Sequence, residues 1–232
     1  MHLAHNQADP DFATRGAAGG PVCVAFTSDQ SHYSYLKSAR LTGLGSDNLK
    51  AVQTDGQGRM DPVALEAAVV EAKEDGKTPF FVGSTAGTTV LGAYDPFNDI
   101  SAICKKHGMW HHVDACWGGS AMLSAKWKHC MSGVETADSL AWNPHKMSGA
   151  TLQTSAFLVR HGDDLLSKTN GTQAAYLFQP DKLYVFIFLS LSLSRSFTVF
   201  AFIVLTLPLL TAGTVSTTPA IRPSSAAGRR TC

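Results

Sequence analysis

Two segments of the sequence hold residues whose types and spacing could do chemistry. In Ser139-Leu-Ala-Trp-Asn-Pro-His-Lys146, a lysine follows a Pro-His pair and precedes small residues at 148–150. An amine in such a tight site could be a nucleophile, although a solvated loop lysine is the commoner case. In His112-Val-Asp-Ala-Cys-Trp-Gly-Gly119, Asp114 ends an apolar run. Its carboxylate could face a ligand or simply cap the next turn.

Asp114 and Lys146 together predict a more specific chemistry. Pyridoxal-phosphate chemistry requires an amine that forms a Schiff base with the aldehyde and a carboxylate that keeps the pyridine nitrogen protonated. His32 lies early in the chain, within Gln30-Ser-His-Tyr-Ser34 at an expected strand-to-helix turn, where an imidazole could stack on the ring. The sequence therefore predicts pyridoxal 5'-phosphate as the cofactor.

The elements that must position these residues alternate between strands and helices. Apolar runs predict strands at 22–26, 49–53, 79–82, 109–113 and 157–159, and helical spacing predicts helices at 31–44, from 62 to about 75, and from 95 to 107. This order predicts a mostly parallel sheet flanked by helices. Ligands bind at the carboxyl ends of strands in such sheets, where the turn at 83–89 and Asp114 both fall.

Five stretches resemble the group II pyridoxal-phosphate-dependent amino-acid decarboxylases. In chain order they are FTSDQSHYS, STAGTTVLGAYDPF, HVDACWGGS, ADSLAWNPHKM and GTQAAYLFQPDK. The resemblance runs from about residue 6 to residue 184 and is greatest to the acidic-substrate branch, which includes cysteine sulfinate and glutamate decarboxylases. It implies part of the large domain of a type I pyridoxal-phosphate-dependent transferase. The last and fourth stretches favour the cysteine sulfinate type.

The resemblance also implies the residues of the reaction centre. Lys146 and His32 would be catalytic, with Lys146 forming the Schiff base and His32 stacking on the face of the ring. Asp114 would pair with the pyridine nitrogen. The expected reaction is removal of the α-carboxylate of a small acidic amino acid. Cysteine sulfinate, which would give hypotaurine in taurine biosynthesis, is favoured over glutamate or aspartate.

Four further residues would contact the cofactor if the resemblance holds. Thr85 would lie near the ring 3-oxygen and the substrate carboxylate. Cys116, which stands where this branch usually has alanine, would pack beneath the ring. Asn143 and His145 would help to hold the phosphate.

The chain also departs from the family pattern, which leaves a second class of function open. The family's upstream Gly/Ser-rich phosphate loop is not in this sequence, and after Tyr184 an apolar run replaces the loop whose tyrosine donates a proton. The alternative is therefore a catalytically incomplete, non-enzymatic fragment, which the apolar run could tether to a membrane.

Charge divides the chain into three expected parts. The whole chain has 19 Lys+Arg and 18 Asp+Glu, a balance that argues against nucleic-acid binding. Residues 1–184 read as the partial cofactor-binding domain, whereas 185–232 contain no Asp, Glu or Lys. The run at 185–210 is apolar and long enough for a bilayer, so a membrane contact is expected only if it is a genuine part of the protein. The tract at 211–232 has a composition typical of disorder.

The spacing of the cysteine and histidine residues bears on the compartment of the protein and on metal binding. The five cysteines are widely spaced and form no CxxC pair, which favours a reducing compartment and a cytoplasmic location. His112 and Asp114 would share one face of a strand, but no further ligand cluster accompanies them, so no metal is predicted. The resemblance implies a homodimer.

Overall fold

A computed structural model describes residues 1–160 of the chain. The stretch GTQAAYLFQPDK, the apolar run at 185–210 and the tract at 211–232 lie outside the described residues. The division into three parts therefore stays a prediction.

Within residues 1–160, six strands form one sheet in the order β2-β1-β3-β4-β5-β6. All neighbours are parallel except β5 and β6, which are antiparallel. The strands are β1 (Cys23–Ser28), β2 (Leu49–Val52), β3 (Thr78–Thr85), β4 (Trp110–Asp114), β5 (Ser139–Trp142) and β6 (Ala156–Val159).

Five α-helices accompany the sheet in the part of the chain that the structure describes. They are α1 (His2–Ala8), α2 (Phe12–Arg15), α3 (Ser34–Leu41), α4 (Pro62–Glu74) and α5 (Phe97–His107). Short 3-10 turns occupy Ser46–Asn48, Gly118–Leu123, Lys128–Met131 and Val134–Thr136. No helix within residues 1–160 is both apolar enough and long enough to cross a membrane.

Helix α4 shows how local sequence sets an element. Asp61 precedes the helix, and its carboxylate accepts a hydrogen bond from the Val63 N–H at 2.8 Å, while Pro62 occupies the first turn. Leu65 and Val69, spaced by one helical turn, are fully buried against the sheet. Each such side chain stabilises the fold by about 1.5–3 kcal/mol.

The two faces of the sheet bury separate apolar clusters. Helices α4 and α5 cover the face that carries Val24, Phe26 and Val82. Helices α1 and α3 contribute to the cluster on the other face, which includes Ala25 and Phe81. Both faces of the central strands are thereby covered, which is the arrangement of a parallel sheet in an α/β domain.

The predicted α/β class with a mostly parallel sheet is confirmed, and the differences are local. The helix expected over 31–44 is only Ser34–Leu41, because His32 and its neighbours form a turn at its start. Strand β5 was not predicted as a strand, and β6 runs antiparallel to it.

Candidate active site

The ends of β3, β4 and β5 meet at one edge of the sheet. Thr85, the last residue of β3, pairs with Asp114, the last residue of β4, and Asp114 pairs in turn with Ala141. The ladder continues one step further, because the Ala86 N–H donates to the Asp114 carbonyl at 2.9 Å. The register therefore brings Thr85 and Asp114 together, as the sequence predicted for strand ends.

Asp114, Cys116 and Lys146 share one electrostatic environment. Asp114 is half-buried, and its Oδ1 accepts a hydrogen bond from the Cys116 N–H at 3.0 Å. Burial, and after it the Asp114 charge, raises the pKa of the Cys116 thiol to about 12, whereas the Lys146 charge acts in the opposite direction. The thiol is therefore protonated at neutral pH, and the lysine lies close enough to influence it.

Thr85 is held through its backbone, which leaves its hydroxyl for another partner. Its N–H donates to Oδ2 of Asp95 at 2.7 Å, and Oδ1 of the same carboxylate accepts from the Met60 N–H at 2.7 Å. Burial raises the pKa of Asp95 to about 6. The Thr85 Oγ1 atom is buried and has no hydrogen-bond partner within residues 1–160.

His32 lies on the connection that leaves the carboxyl end of β1, at the same edge of the sheet. Its half-buried ring is oriented by Ser34, whose backbone N–H donates to Nδ1 at 3.2 Å and whose Oγ lies 2.8 Å from Nδ1. Because a backbone N–H can only donate, Nδ1 accepts, and the neutral ring carries its proton on Nε2.

The loop after β5 carries Lys146. The Lys146 N–H donates to the Asn143 carbonyl at 3.0 Å, which closes a turn. His145 Nδ1 lies 2.6 Å from the Thr154 carbonyl, so it carries the proton and donates. Lys146 itself is exposed, whereas Asn143 and His145 are half-buried.

His111 and His112, which are adjacent in β4, have different hydrogen-bond partners. His111 is buried and its ring lies 2.7 Å from each of the Ser84 and Ser101 hydroxyls, whereas the His112 ring lies 2.8 Å from the Ser139 hydroxyl. Within residues 1–160, no group of three or more His, Cys, Asp or Glu side chains is arranged to hold a metal.

Asp95 and Tyr35 are the site-edge residues that sequence reasoning missed. Asp95 was interpreted only as part of the start of a helix, because Asp-Pro is a helix-start signal. Tyr35 lies in the helical pattern, and nothing in the sequence distinguishes it from Tyr33. In the structure Tyr35 is 7% exposed and Tyr33 is 66% exposed.

The sheet is mostly parallel, an aspartate ends β4, and a lysine lies on the loop after β5. Together these features define the class of the protein, which is a type I pyridoxal-phosphate-dependent fold. The sequence profile described as "Pyridoxal-dependent decarboxylase conserved domain" matches residues 7–208, and the chain belongs to this family. The family resemblance is therefore confirmed.

Named relatives lie in the acidic-substrate branch. Over 184 residues the chain is 50% identical to "Acidic amino acid decarboxylase GADL1" of Bos taurus and 48% identical to "Cysteine sulfinic acid decarboxylase" of Mus musculus. The match covers 79% of this chain but only 35% and 37% of those proteins. The chain thus spans little more than a third of the length of these relatives.

Solved structures are also similar to this chain. Mouse CSAD in apo form matches with a TM-score of 0.75 and 46% identity, covering 79% of this chain and 38% of that one. Oryza sativa TDC with PLP and tryptamine matches with a TM-score of 0.71 and 29% identity, covering 76% of this chain and 36% of that one.

Proposed function

We propose that this chain is part of a pyridoxal-phosphate-dependent carboxy-lyase that removes the α-carboxylate of a small acidic amino acid. Cysteine sulfinate is the favoured substrate, and glutamate and aspartate are the alternatives. Support comes from the family of the chain and from the names of relatives that are about half identical to it.

The described residues fit the cofactor. The Thr85 hydroxyl is buried and has no hydrogen-bond partner within residues 1–160, as expected for a group that would face the 3-oxygen of the ring. Asp114 lies beside Thr85 on the neighbouring strand, and its carboxylate would pair with the ring nitrogen. Lys146 offers an amine on the loop that follows β5, and its charge acts on Cys116. The donor set therefore matches the aldehyde, the ring oxygen and the ring nitrogen of the cofactor.

The remaining predicted residues, together with Thr85, Asp114 and Lys146, form the proposed cofactor site, which we call the cradle. His145 donates from Nδ1 to Thr154, so its Nε2 is left as the atom directed to other groups, and with Asn143 it would hold the phosphate. Cys116, protonated and half-buried, would pack beneath the ring. His32, fixed by Ser34, would stack on the opposite face with its proton on Nε2.

The cofactor, when bound, supplies an electron sink for the pair left behind as carbon dioxide departs. The chain supplies position and charge. Asp114 would balance positive charge on the ring nitrogen, and the Cys116 N–H holds the Asp114 Oδ1 in place. Lys146 would hold the cofactor through its aldehyde. Such fixed groups lower the barrier because they need little reorganisation during the reaction.

The observation that carries the proposal is that Asp114 ends β4 while Lys146 lies on the loop after the neighbouring strand β5, so that both lie at one edge of the sheet. Borohydride reduction of the full chain with pyridoxal phosphate, followed by peptide mapping, tests it. We expect the label on the peptide that contains Lys146 and none after Lys146→Ala. Lys126→Ala, which removes an exposed lysine outside the proposed cradle, is the matched control and should leave labelling intact. Label spread evenly over exposed lysines would contradict the proposal.

A catalytically incomplete chain is the second candidate. It is favoured by the sequence after Tyr184, where an apolar run stands in place of the family's loop whose tyrosine donates a proton. Carbon dioxide release from cysteine sulfinate, glutamate and aspartate separates the two. Labelling at Lys146 without release would indicate a cofactor-binding but inactive chain, and release would identify the substrate.

A homodimer in the cytoplasm is also proposed. Val90, Leu91 and Leu123 are apolar side chains that are 83%, 59% and 71% exposed, which suits a covered surface. The four cysteines of the described residues are all free, which suits a reducing compartment. Sedimentation velocity and cell fractionation test these points. Pelleting with membranes that depends on residues 185–210 would show tethering instead.

A further inference from the structure

Tyr35 is a buried tyrosine at the edge of the site to which the proposed reaction assigns no role. Its side chain is 7% exposed, and its hydroxyl has no hydrogen-bond partner within residues 1–160. Buried polar groups are almost always paired, because leaving one unpaired costs free energy. An ordered water or a ligand that completes the pairing is therefore expected near this hydroxyl.

Gly83 provides the space that the Tyr35 ring occupies. A Cβ atom at position 83 would lie 2.5 Å from Cε1 and 2.7 Å from the hydroxyl oxygen of Tyr35. The phenol thus lies directly on the backbone of β3. The rings of Phe81 and His112 contact it, with centroids 6.2 Å and 6.4 Å away. These contacts fix the phenol and leave its hydroxyl little freedom to turn away.

The phenol covers the same sheet face as the Asp114 side chain. Gly83 pairs with His112, and two residues further along the strands Thr85 pairs with Asp114. Alternate residues of a strand share a face and are about 7 Å apart, so Asp114 lies one step beyond the phenol. Burial, and after it the Asp114 charge, raises the pKa of Tyr35 well above its usual range. The hydroxyl therefore keeps its proton and can donate it in a hydrogen bond.

We propose that Tyr35 is a positioning residue for Asp114, whose carboxylate accepts a hydrogen bond from the Tyr35 hydroxyl through one ordered water. The Cys116 N–H holds the Asp114 carboxylate at Oδ1, and the water would hold it from the β3 side. The carboxylate is then fixed from two directions. The part of this inference that concerns the cofactor rests on the proposed function.

A double-mutant cycle on the full chain without cofactor tests the link to Asp114. The variants are Tyr35→Phe, Asp114→Ala and the two combined, compared by thermal unfolding; alanine, unlike asparagine, leaves no oxygen that could accept a hydrogen bond from the water. We expect Tyr35→Phe alone to lower the unfolding temperature by about 2–4 °C, as loss of one hydrogen bond should, and to have no such effect when combined with Asp114→Ala. An equal shift in both backgrounds, or a stabilisation in both, would overturn the proposal.

Tyr94→Phe is the matched control for loss of a phenol hydroxyl. The Tyr94 hydroxyl donates to the Gly118 carbonyl at 3.1 Å, a partner other than Asp114. Its removal should therefore lower the unfolding temperature equally with and without Asp114→Ala. A dependence on Asp114 of the same size as that of Tyr35→Phe would show that the cycle reports general softening and would also overturn the proposal.

Cofactor affinity is the second readout, because a purely structural tyrosine would not change it. In titrations with pyridoxal phosphate followed by absorbance, we expect Tyr35→Phe to weaken affinity about threefold to tenfold. Unchanged affinity together with an additive cycle contradicts the role of Tyr35. If the unsubstituted chain gives no absorbance change, the proposed function fails, and the cycle without cofactor still decides the inference.

Discussion

Asp95 and Thr85 hold each other by two reciprocal hydrogen bonds. Asp95 Oδ2 accepts from the Thr85 N–H at 2.7 Å, and the Asp95 N–H donates to the Thr85 carbonyl at 3.0 Å. The pair ties the end of β3 to the segment just before α5 and orients Thr85, whose hydroxyl is proposed to face the cofactor. Because Asp95 is only 3% exposed, this clamp is sensitive to pH.

Asp95 should make the protein less stable as pH rises. Burial raises its pKa to about 6 from 3.8, so the folded state binds the proton more tightly than the unfolded state. Between pH 4 and pH 6 the free energy of unfolding should therefore fall, relative to Asp95→Asn, by up to about 3 kcal/mol. Urea unfolding of both proteins across this range measures the difference. A difference that stays constant with pH would contradict it.

His111 should act with the opposite sign. Burial lowers its pKa to about 3, so the folded state keeps the ring neutral while the unfolded state takes up a proton below about pH 6.5. Stability present above pH 6.5 is therefore lost as pH falls, by about 2 kcal/mol at pH 5. Urea unfolding should show a flatter pH dependence for His111→Gln. His129→Gln, which replaces an exposed histidine, is the control and should retain the original dependence.

The cap of α4 gives a prediction on stability alone. Asp61→Ala removes the acceptor of the Val63 N–H and should cost about 1 kcal/mol, or about 2–4 °C in unfolding temperature. Asp61→Asn keeps an acceptor oxygen and should lose much less. Thermal unfolding compares the three proteins, and equal losses for both variants would show that the charge rather than the cap matters.

Gly118 should be intolerant of any side chain. A Cβ there would lie 2.5 Å from the Ala86 carbonyl oxygen and 2.6 Å from the Tyr94 hydroxyl, so Gly118→Ala must move the backbone that follows Cys116. We expect a loss of about 1–3 kcal/mol and weaker cofactor binding. Gly56→Ala has open space and should be tolerated. Urea unfolding and absorbance titration check both variants, and similar behaviour of the two would refute the close approach.

Much of the fold was predictable because its signals are local. The α4 helix has Asp61, Pro62 and a helical apolar stripe, and the strands at 79–82 and 109–113 are apolar runs between turn residues. Strand β5 was not predicted because it has only four residues and one of its ends is polar. The antiparallel direction of β6 depends on its pairing with β5, which no local pattern encodes.

The site was predictable only where chemistry marks a residue. Asp114 and Lys146 were singled out by type, position and motif, and the structure brings them to one edge. The role of Asp95 as a clamp depends on the fold of the chain around Met60 and Thr85. Tyr35 depends on the absence of a side chain at Gly83, which is remote in sequence and becomes a neighbour only through packing.

The antiparallel pairing of β5 and β6 has a consequence for the amine. Trp142 pairs with Ala156, so the segment at 143–155 leaves the sheet and returns to the same ladder. Lys146 therefore lies on a loop whose two ends are both fixed by strands of the sheet, and not on a chain end. The entropy of closing this loop is lost when the protein folds, so binding of a ligand at Lys146 does not have to bring its ends together.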